Sequence, residues 1–113
     1  MRSVRHPHPR EIEVTDVLHA LSDPVRLQIV RHLALCDERC CNALEAQVSK
    51  STLSHHLKVL REAGLTRTRV SGTQRLVSLR DEELEQCMPG LLRSVLDAAA
   101  AAAPQVHAPA LRT

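Results

Sequence analysis

The chain contains no phenylalanine, tyrosine or tryptophan among its 113 residues. Aromatic side chains bury roughly 150–250 Å² each, so a core of leucine, valine, isoleucine and alanine has less apolar area per side chain to bury. We therefore expect a marginally stable monomer that gains further burial in a homodimer. The absence also disfavours RNA and single-stranded DNA as ligands, because the modules that bind them stack bases on aromatic rings.

Long hydrophobic runs are missing as well. No apolar run approaches the ~18 residues expected of a membrane span, and the first ten residues are too polar for a signal peptide. We therefore expect a cytoplasmic protein that has no membrane partner. In that compartment the four cysteines are expected to be reduced thiols and not a disulfide framework.

The sequence motifs of common enzyme classes are also absent. With only three glycines, the chain has no glycine-rich phosphate loop, and it contains neither a G-x-S-x-G nor a C-x-x-C motif. An enzyme would need acid, base or nucleophilic groups that converge in a pocket, and no such set stands out. We therefore expect a binding protein and not an enzyme.

Positive charge is concentrated in one part of the chain. Residues 50–80 carry seven arginine and lysine side chains against Glu62 alone, a net charge of +6, whereas the whole chain carries +2 and the remainder therefore −4. A localised positive field of this kind is typical of a surface that binds phosphate groups. A basic segment without a sequence motif is equally compatible with a solvent-exposed helix face. The motifs described below distinguish this interpretation from a phosphate-binding surface.

The first half of the chain predicts helices behind a short arm. Prolines alternate with histidines over residues 1–10, which predicts a flexible arm. Apolar residues recur at helical spacing over residues 12–22 and again over 22–35, and Ser22 is placed to cap the second helix. A short further helix is expected over residues 41–47.

The next helix is the most distinctive element of the sequence. It is predicted over residues 50–63, with Ser49 or Ser51 as its cap and Gly64 as a left-handed stop. Three leucines fall at helical spacing and make one buried stripe: Leu53, Leu57 and Leu60. The polar side chains between them lie largely off that stripe, which leaves one face of the helix to a partner.

A basic hairpin follows that helix. Strand-like runs are predicted over residues 65–70 and 74–79, and Gly72 lies in the turn that joins them. A two-stranded hairpin is rarely stable alone, so it must pack on the helices. A helix with one buried face followed by a basic wing is how small proteins bind duplex DNA. The residues alone therefore predict a DNA-binding regulator.

Two segments at this spacing match a known pattern. ALSDPVRLQIV at residues 20–30 and STLSHHLKVLREAGL at residues 51–65 together resemble the ArsR/SmtB family of winged helix-turn-helix regulators. The resemblance covers residues 12–97 and implies a mainly α fold with a small β-hairpin wing. It further implies a homodimeric bacterial transcription factor, usually a repressor, that binds an imperfect palindrome of double-stranded DNA and changes affinity when an effector binds.

The resemblance also assigns roles to individual residues. The recognition helix corresponds to residues 51–63, and its base-reading side chains in the major groove would be Ser51, Thr52, Ser54 and His55. Phosphate or minor-groove contacts are expected from Lys50, Lys58 and Arg61 of the helix and from Arg69, Gln74 and Arg75 of the wing. His56 lies beside the apolar stripe, where we favour a packed residue that ties helix to helix.

The remaining elements complete the expected organisation. A flexible arm over residues 1–10 precedes a winged helix-turn-helix domain for DNA binding and dimerisation over residues 11–103, and prolines predict a disordered tail over residues 104–113. The last part of the domain holds an acidic helix at residues 81–87 and an alanine-rich helix after it. The apolar faces of the first and last helices are assigned to the dimer interface, with Cys87 packed there.

Two metal sites are known in this family, and the sequence departs from both. One uses histidine and acidic ligands on the C-terminal helix, which here holds no histidine; the other uses Cys-x-Cys, where this chain has Cys40, Cys41 and Asn42. Cys36, Cys40 and Cys41 could still converge on As(III) or Zn(II), form a redox switch, or be structural. A nickel-type Ni(II) site would have to use other residues: His6, His8, His19 or His32.

A winged helix that serves only as a protein-interaction module is the alternative interpretation. It predicts little affinity for DNA and no steep dependence on salt. The DNA-binding interpretation predicts an affinity that falls strongly with salt, at a slope set by the phosphates that the protein neutralises.

Overall fold

The computed structural model of the chain describes residues 5–35, 39–40 and 49–102. In these ranges, a 3-10 helix at Pro9–Glu11 precedes five α-helices: α1 (Val14–Leu21), α2 (Pro24–Ala34), α3 (Lys50–Glu62), α4 (Asp81–Cys87) and α5 (Leu91–Ala102). The strands are β1 (Arg39–Cys40), β2 (Thr66–Ser71) and β3 (Gln74–Leu79), which form an antiparallel sheet in the order β1-β3-β2. The predicted mainly α fold with a hairpin wing is confirmed, whereas the helix predicted over residues 41–47 and the tail lie outside the described residues.

None of the helices in the described ranges is long and apolar enough to cross a membrane. The longest, α3, is amphipathic, as expected of a helix that packs one face on a protein core.

The junction of α1 and α2 is set by Asp23. Its carboxylate accepts hydrogen bonds from the backbone N–H groups of Val25 at 2.9 Å and Arg26 at 3.0 Å. The hydroxyl of Ser22 instead donates to the carbonyl oxygen of His19 at 2.7 Å. Asp23 is therefore the cap of α2, and the prediction that Ser22 caps this helix was wrong. A carboxylate also complements the positive end of the helix dipole, which a hydroxyl does not.

Aliphatic side chains form the core between α1, α2, α3 and the inner face of the wing. The stripe predicted for α3 is confirmed, because Leu53, Leu57 and Leu60 are all buried. Each such side chain contributes about 1.5–3 kcal/mol relative to an exposed one. The best buried members from the other elements are Val17, Ile29, Val30, Leu33, Leu65, Val77 and Leu84.

The wing is a regular hairpin with one strand added beside it. The backbone register runs from Thr66 opposite Leu79 to Ser71 opposite Gln74, and Gly72 has φ +64° in the two-residue turn. The strand β1, which the sequence did not predict, pairs with the outer side of β3. Two residues are too short to carry an alternating pattern, so only their tertiary pairing defines this strand.

Gly64 ends α3 and leads into the wing. Its N–H donates to the carbonyl of Arg61, and the N–H of Leu65 donates to the carbonyl of Leu60, both at 3.0 Å. With φ +93° at Gly64, this is a Schellman cap, and the predicted glycine stop is confirmed. A Cβ atom at this position would lie 2.6 Å from Cγ1 of the buried Ile12.

The N-terminal segment contacts the wing and α4. Nε2 of His6 accepts a hydrogen bond from the backbone N–H of Thr68 at 2.9 Å, and the carbonyl of Pro9 accepts one from the Cys87 thiol at 3.5 Å. Burial and three nearby arginines lower the pKa of His6, which favours the unprotonated acceptor. The flexible arm predicted over residues 1–10 thus has defined contacts in its second half, and its first four residues lie outside the described part.

Candidate nucleic-acid interface

The outer face of α3 begins with a network of three hydroxyl groups. Ser49 accepts a hydrogen bond from the backbone N–H of Thr52 at 3.2 Å and donates to the Thr52 hydroxyl oxygen at 3.0 Å. Its oxygen also lies 3.2 Å from the Ser51 hydroxyl oxygen. Because Ser49 has a single hydroxyl hydrogen, Ser51 is the donor in that contact. This assignment leaves acceptor lone pairs on Ser51 and the hydroxyl hydrogen of Thr52 for groups on a ligand.

Most of the side chains predicted to contact DNA from α3 lie on one exposed surface. Helical spacing places Ser51, His55 and Lys58 opposite the buried leucine stripe and Thr52 and Ser54 on its flanks. Six of the predicted side chains are exposed: Lys50, Ser51, Thr52, Ser54, His55 and Lys58. Arg61, near the C-terminal end of α3, is only half-buried. Lys58 forms an exposed ion pair with Glu62 at 3.9 Å, which contributes little and leaves the ammonium group accessible.

The tip of the wing adds a second exposed basic surface. Arg69, Gln74 and Arg75 are all exposed. The register places Gln74 next to the turn and Arg75 opposite Val70. The strand β2 follows α3 directly and packs against it, so the wing lies next to this helix.

Two arginines of the basic segment pair with an acidic side chain of the protein itself. Arg80 is buried, and its Nε donates to a carboxylate oxygen of Glu83 at 2.6 Å; Arg67 donates to the same oxygen at 3.0 Å. The hydrogen bond from Arg80 and the charges of both arginines lower the pKa of Glu83, against the effect of its burial. Arg67 and Arg80, which are not among the predicted DNA contacts, thus account for part of the positive charge of this segment. The acidic residue three positions after Arg80 was the available sign of this pairing.

Acid should lower the free energy of unfolding by protonating Glu83. In the folded protein, the pKa of Glu83 lies below the ordinary value of 4.5. The ionised side chain therefore contributes its full stabilisation above pH 4.5, and this contribution is lost as the pH falls through the folded pKa. We expect Glu83→Gln to reduce the free energy of unfolding by about 2 kcal/mol at pH 7, the scale of a hydrogen bond to a charged group. Denaturant unfolding at pH 7 and pH 3 checks this. The exposed Glu82→Gln is the matched control, and an equal loss in both variants at pH 7 would contradict the account.

A buried polar cluster joins α3 to α1 and α2. Nη1 of Arg26 lies 3.3 Å from Nδ1 of His56, and its Nε donates to the carbonyl of Ala20 at 2.7 Å. Oδ2 of Asp23 lies 3.9 Å from the same His56 nitrogen. The packed role predicted for His56 is confirmed. Arg26 was not among the predicted site residues, although its place on the apolar stripe of α2, three residues before Ile29, indicates burial.

The described residues include only one of the three cysteines of the predicted thiol site. Cys36 and Cys41 lie outside them, and Cys40 contributes its backbone to β1. Within the described ranges, no three histidine, cysteine or acidic side chains approach closely enough to hold a metal ion. Two of the histidines considered for nickel already accept backbone hydrogen bonds, His6 from Thr68 and His8 from Arg10.

Comparison with known proteins gives consistent matches. A family model described as a helix-turn-helix domain matches residues 21–69. The arsenical resistance operon repressor of Staphylococcus xylosus is 43% identical over 75 residues, which cover 65% of this chain and 71% of that protein.

Solved structures show the same fold. The transcriptional repressor BigR from Xylella fastidiosa has 32% identity and a TM-score of 0.61, with 79% of this chain and 84% of that chain covered. A homodimeric winged helix-turn-helix DNA-binding domain from Mycobacterium bovis has 28% identity and a TM-score of 0.62, with 84% and 86% covered. With the capped recognition helix, the wing and these relatives in agreement, the chain belongs to the ArsR/SmtB family of winged helix-turn-helix transcriptional regulators.

Proposed function

We propose that this regulator is a homodimeric repressor that binds double-stranded operator DNA through α3 and the wing, and that an effector lowers its affinity for DNA. The observation that carries the proposal is the exposed polar face of α3 opposite a fully buried leucine stripe. Serine and threonine hydroxyls bond to base edges or phosphates, and a histidine can donate to guanine or to a phosphate oxygen.

The roles follow from the position of each side chain. Base contacts are assigned to the exposed hydroxyl and imidazole groups of Ser51, Thr52, Ser54 and His55. Contacts to phosphates or the flanking minor groove are assigned to Lys50, Lys58, Arg61, Arg69, Gln74 and Arg75. A fluorescence-anisotropy titration of the reduced protein against its own promoter duplex and a scrambled duplex tests the proposal. Equal affinity for both duplexes would contradict it.

The wing arginine should contribute to affinity without contributing to specificity. Replacing the exposed Arg75 with alanine removes one phosphate contact per subunit and two per dimer. The slope of log affinity against log salt should become shallower by about 1.8, and both promoter and random duplexes should bind roughly 10-fold more weakly. The matched control is Arg93→Ala, an exposed arginine on α5. An unchanged slope in the Arg75→Ala protein would remove this residue from the interface.

Apolar surface on the first and last helices supports the homodimer. Val14 and Leu18 lie one turn apart on α1, and each remains 45% exposed. Leu91, Val95 and Leu96 on α5 are only half-buried in the single chain. A second copy would cover such side chains and add the burial that a core without aromatics lacks. The homodimeric Mycobacterium bovis relative supports this assembly. Cys87, which is exposed in the single chain, is proposed to be covered at the same interface.

We assign the effector to thiol chemistry. Cys36, Cys40 and Cys41 are the proposed ligands for As(III) or Zn(II), since soft thiolates select such ions. The Staphylococcus xylosus relative is an arsenical resistance operon repressor, which supports this class. Cys40 of β1 pairs with Leu76 of β3, and Leu76 directly follows the wing residue Arg75 in the sequence. A ligand bound at this strand is therefore connected to the proposed DNA interface. A Ni(II) site built from histidines is the alternative.

The thiol proposal is tested by a panel of As(III), Zn(II), Ni(II), Cu(I) and peroxide in the same titration. We expect As(III) or Zn(II) to weaken operator binding by about 5–150-fold, the usual range of coupling between sites. The double variant Cys40→Ser, Cys41→Ser should bind DNA normally and lose this response, whereas the control Cys87→Ser should keep it. A normal response in the double variant would reject the thiol site.

A further inference from the structure

A buried contact joins Arg26 of α2 to His56 of α3. Among the described residues, it is the only hydrogen bond between side chains of these two helices. Arg26 also donates to the carbonyls of Ala20 at 2.7 Å and His19 at 3.4 Å, at the C-terminal end of α1. Both residues are buried, Arg26 at 8% exposure and His56 at 9%. One guanidinium group therefore links α1, α2 and the proposed recognition helix.

The chemistry of this contact requires a neutral imidazole. A guanidinium group has only donors, so Nδ1 of His56 must accept, and the proton of the neutral ring must lie on Nε2. A second proton on Nδ1 would remove the acceptor and place two cations in contact. Burial lowers the pKa of His56, and the charge of Arg26 and the neighbouring His55 act in the same direction, while Asp23 opposes them.

The neighbours of His56 on α3 are the side chains assigned to the bases. Ser54 and His55 precede it directly and are exposed, whereas His56 points into the protein. We expect a change in how His56 is held to alter the angle at which these side chains meet the groove. We propose that neutral His56 is a positioning residue for operator recognition, and that its protonation releases α3 from Arg26 and weakens binding to the operator. This inference rests on the proposed function.

The neighbouring histidine supplies a control for this proposal. His55 is exposed, whereas His56 is buried against Arg26. His55→Gln removes an imidazole from the proposed DNA surface and leaves the contact between His56 and Arg26 in place.

The test is the affinity of the full-length protein for its promoter duplex and a scrambled duplex from pH 8 to pH 5.5 at constant ionic strength. We expect the ratio of the two affinities to fall by about 10-fold in acid, the scale of one lost hydrogen bond to a charged group. His56→Gln keeps an acceptor for Arg26 and does not titrate, so its ratio should stay constant. His55→Gln changes a side chain assigned to the bases but keeps His56 and Arg26, so its ratio should start from its own value at pH 8 and should still fall in acid.

A second variant tests whether protonation of His56 causes the fall in the affinity ratio. Asp23→Asn keeps a residue that caps α2 well and removes the negative charge that favours protonated His56. The fall in the affinity ratio should therefore move to lower pH, which a purely structural role of the cluster would not produce. A parent that binds its promoter specifically with a flat pH profile, or with the profile of His56→Gln, overturns this inference alone. A parent without specific DNA binding at pH 8 overturns the proposed function together with it.

Discussion

Replacing Gly64 with alanine should lower the free energy of unfolding by about 2–5 kcal/mol. A positive φ costs an alanine about 1–2 kcal/mol, and the new Cβ adds an overpacking cost of about 1–3 kcal/mol. The overpacking arises because that atom would lie 2.6 Å from Cγ1 and 2.7 Å from Cδ1 of Ile12. Denaturant unfolding at a fixed protein concentration measures the loss.

Gly72 supplies the matched control for this prediction. It also has a positive φ, of +64°, but no atom lies within 4 Å of the position that a Cβ would take. Gly72→Ala should therefore cost only the backbone strain, about 1–2 kcal/mol. Equal losses in the two variants would show that contact between Gly64 and Ile12 does not restrict the end of the recognition helix.

A charge on α1 should separate the proposed dimer. Leu18 is 45% exposed in the single chain, and a carboxylate in its place would have to be buried without a partner in the dimer. We expect Leu18→Glu to weaken self-association by at least about 100-fold, since an uncompensated buried charge costs several kcal/mol. Sedimentation equilibrium of the parent and the variant measures the dissociation constants.

The wing offers a control of the same kind. Val70 is 37% exposed on β2, away from the proposed dimer faces, so Val70→Glu should leave self-association unchanged. At the same protein concentration, Leu18→Glu should also unfold at a lower temperature than the parent, because the monomer lacks the burial that the partner supplies. A Leu18→Glu protein that remains a dimer at the parent's dissociation constant would remove α1 from the interface.

Local sequence patterns were sufficient for the elements next to the proposed DNA interface. Helix α3 combines a serine cap, a leucine stripe at helical spacing and a glycine stop, and each of these acts within a few residues of the chain. The acidic start of α4 and the glycine turn of the wing are equally local. Agreement among independent local signals explains why these boundaries could be predicted closely.

The errors arose where two residues compete or where tertiary contacts decide. Ser22 and Asp23 are both good caps, and only the backbone path at the end of α1 selects the carboxylate. In the sequence, Arg80 counts as one of the charges of the basic segment at residues 50–80, yet its side chain is buried and paired with Glu83. The strand β1 exists only because β3 is beside it.

The candidate DNA interface likewise has features set by the local sequence and features set by tertiary contacts. Exposure of Ser54 and His55 follows from helical periodicity, so the DNA-facing set could be listed from the sequence. The link between Arg26 and His56 joins residues thirty positions apart, and no local pattern predicts which buried polar groups meet. The thiol ligands depend on residues outside the described part, so that assignment rests on chemistry and on the relatives.

The most direct test of the central claim is the salt dependence of binding to the promoter duplex. If α3 and the wing of a dimer contact the DNA backbone, the affinity should fall by about 10³–10⁵ between 50 and 200 mM salt, as for six to ten phosphate contacts. The promoter duplex should also bind at least about 10³-fold more tightly than a scrambled one. Weak binding that does not respond to salt and does not distinguish the duplexes would contradict the account and favour a module for protein contacts.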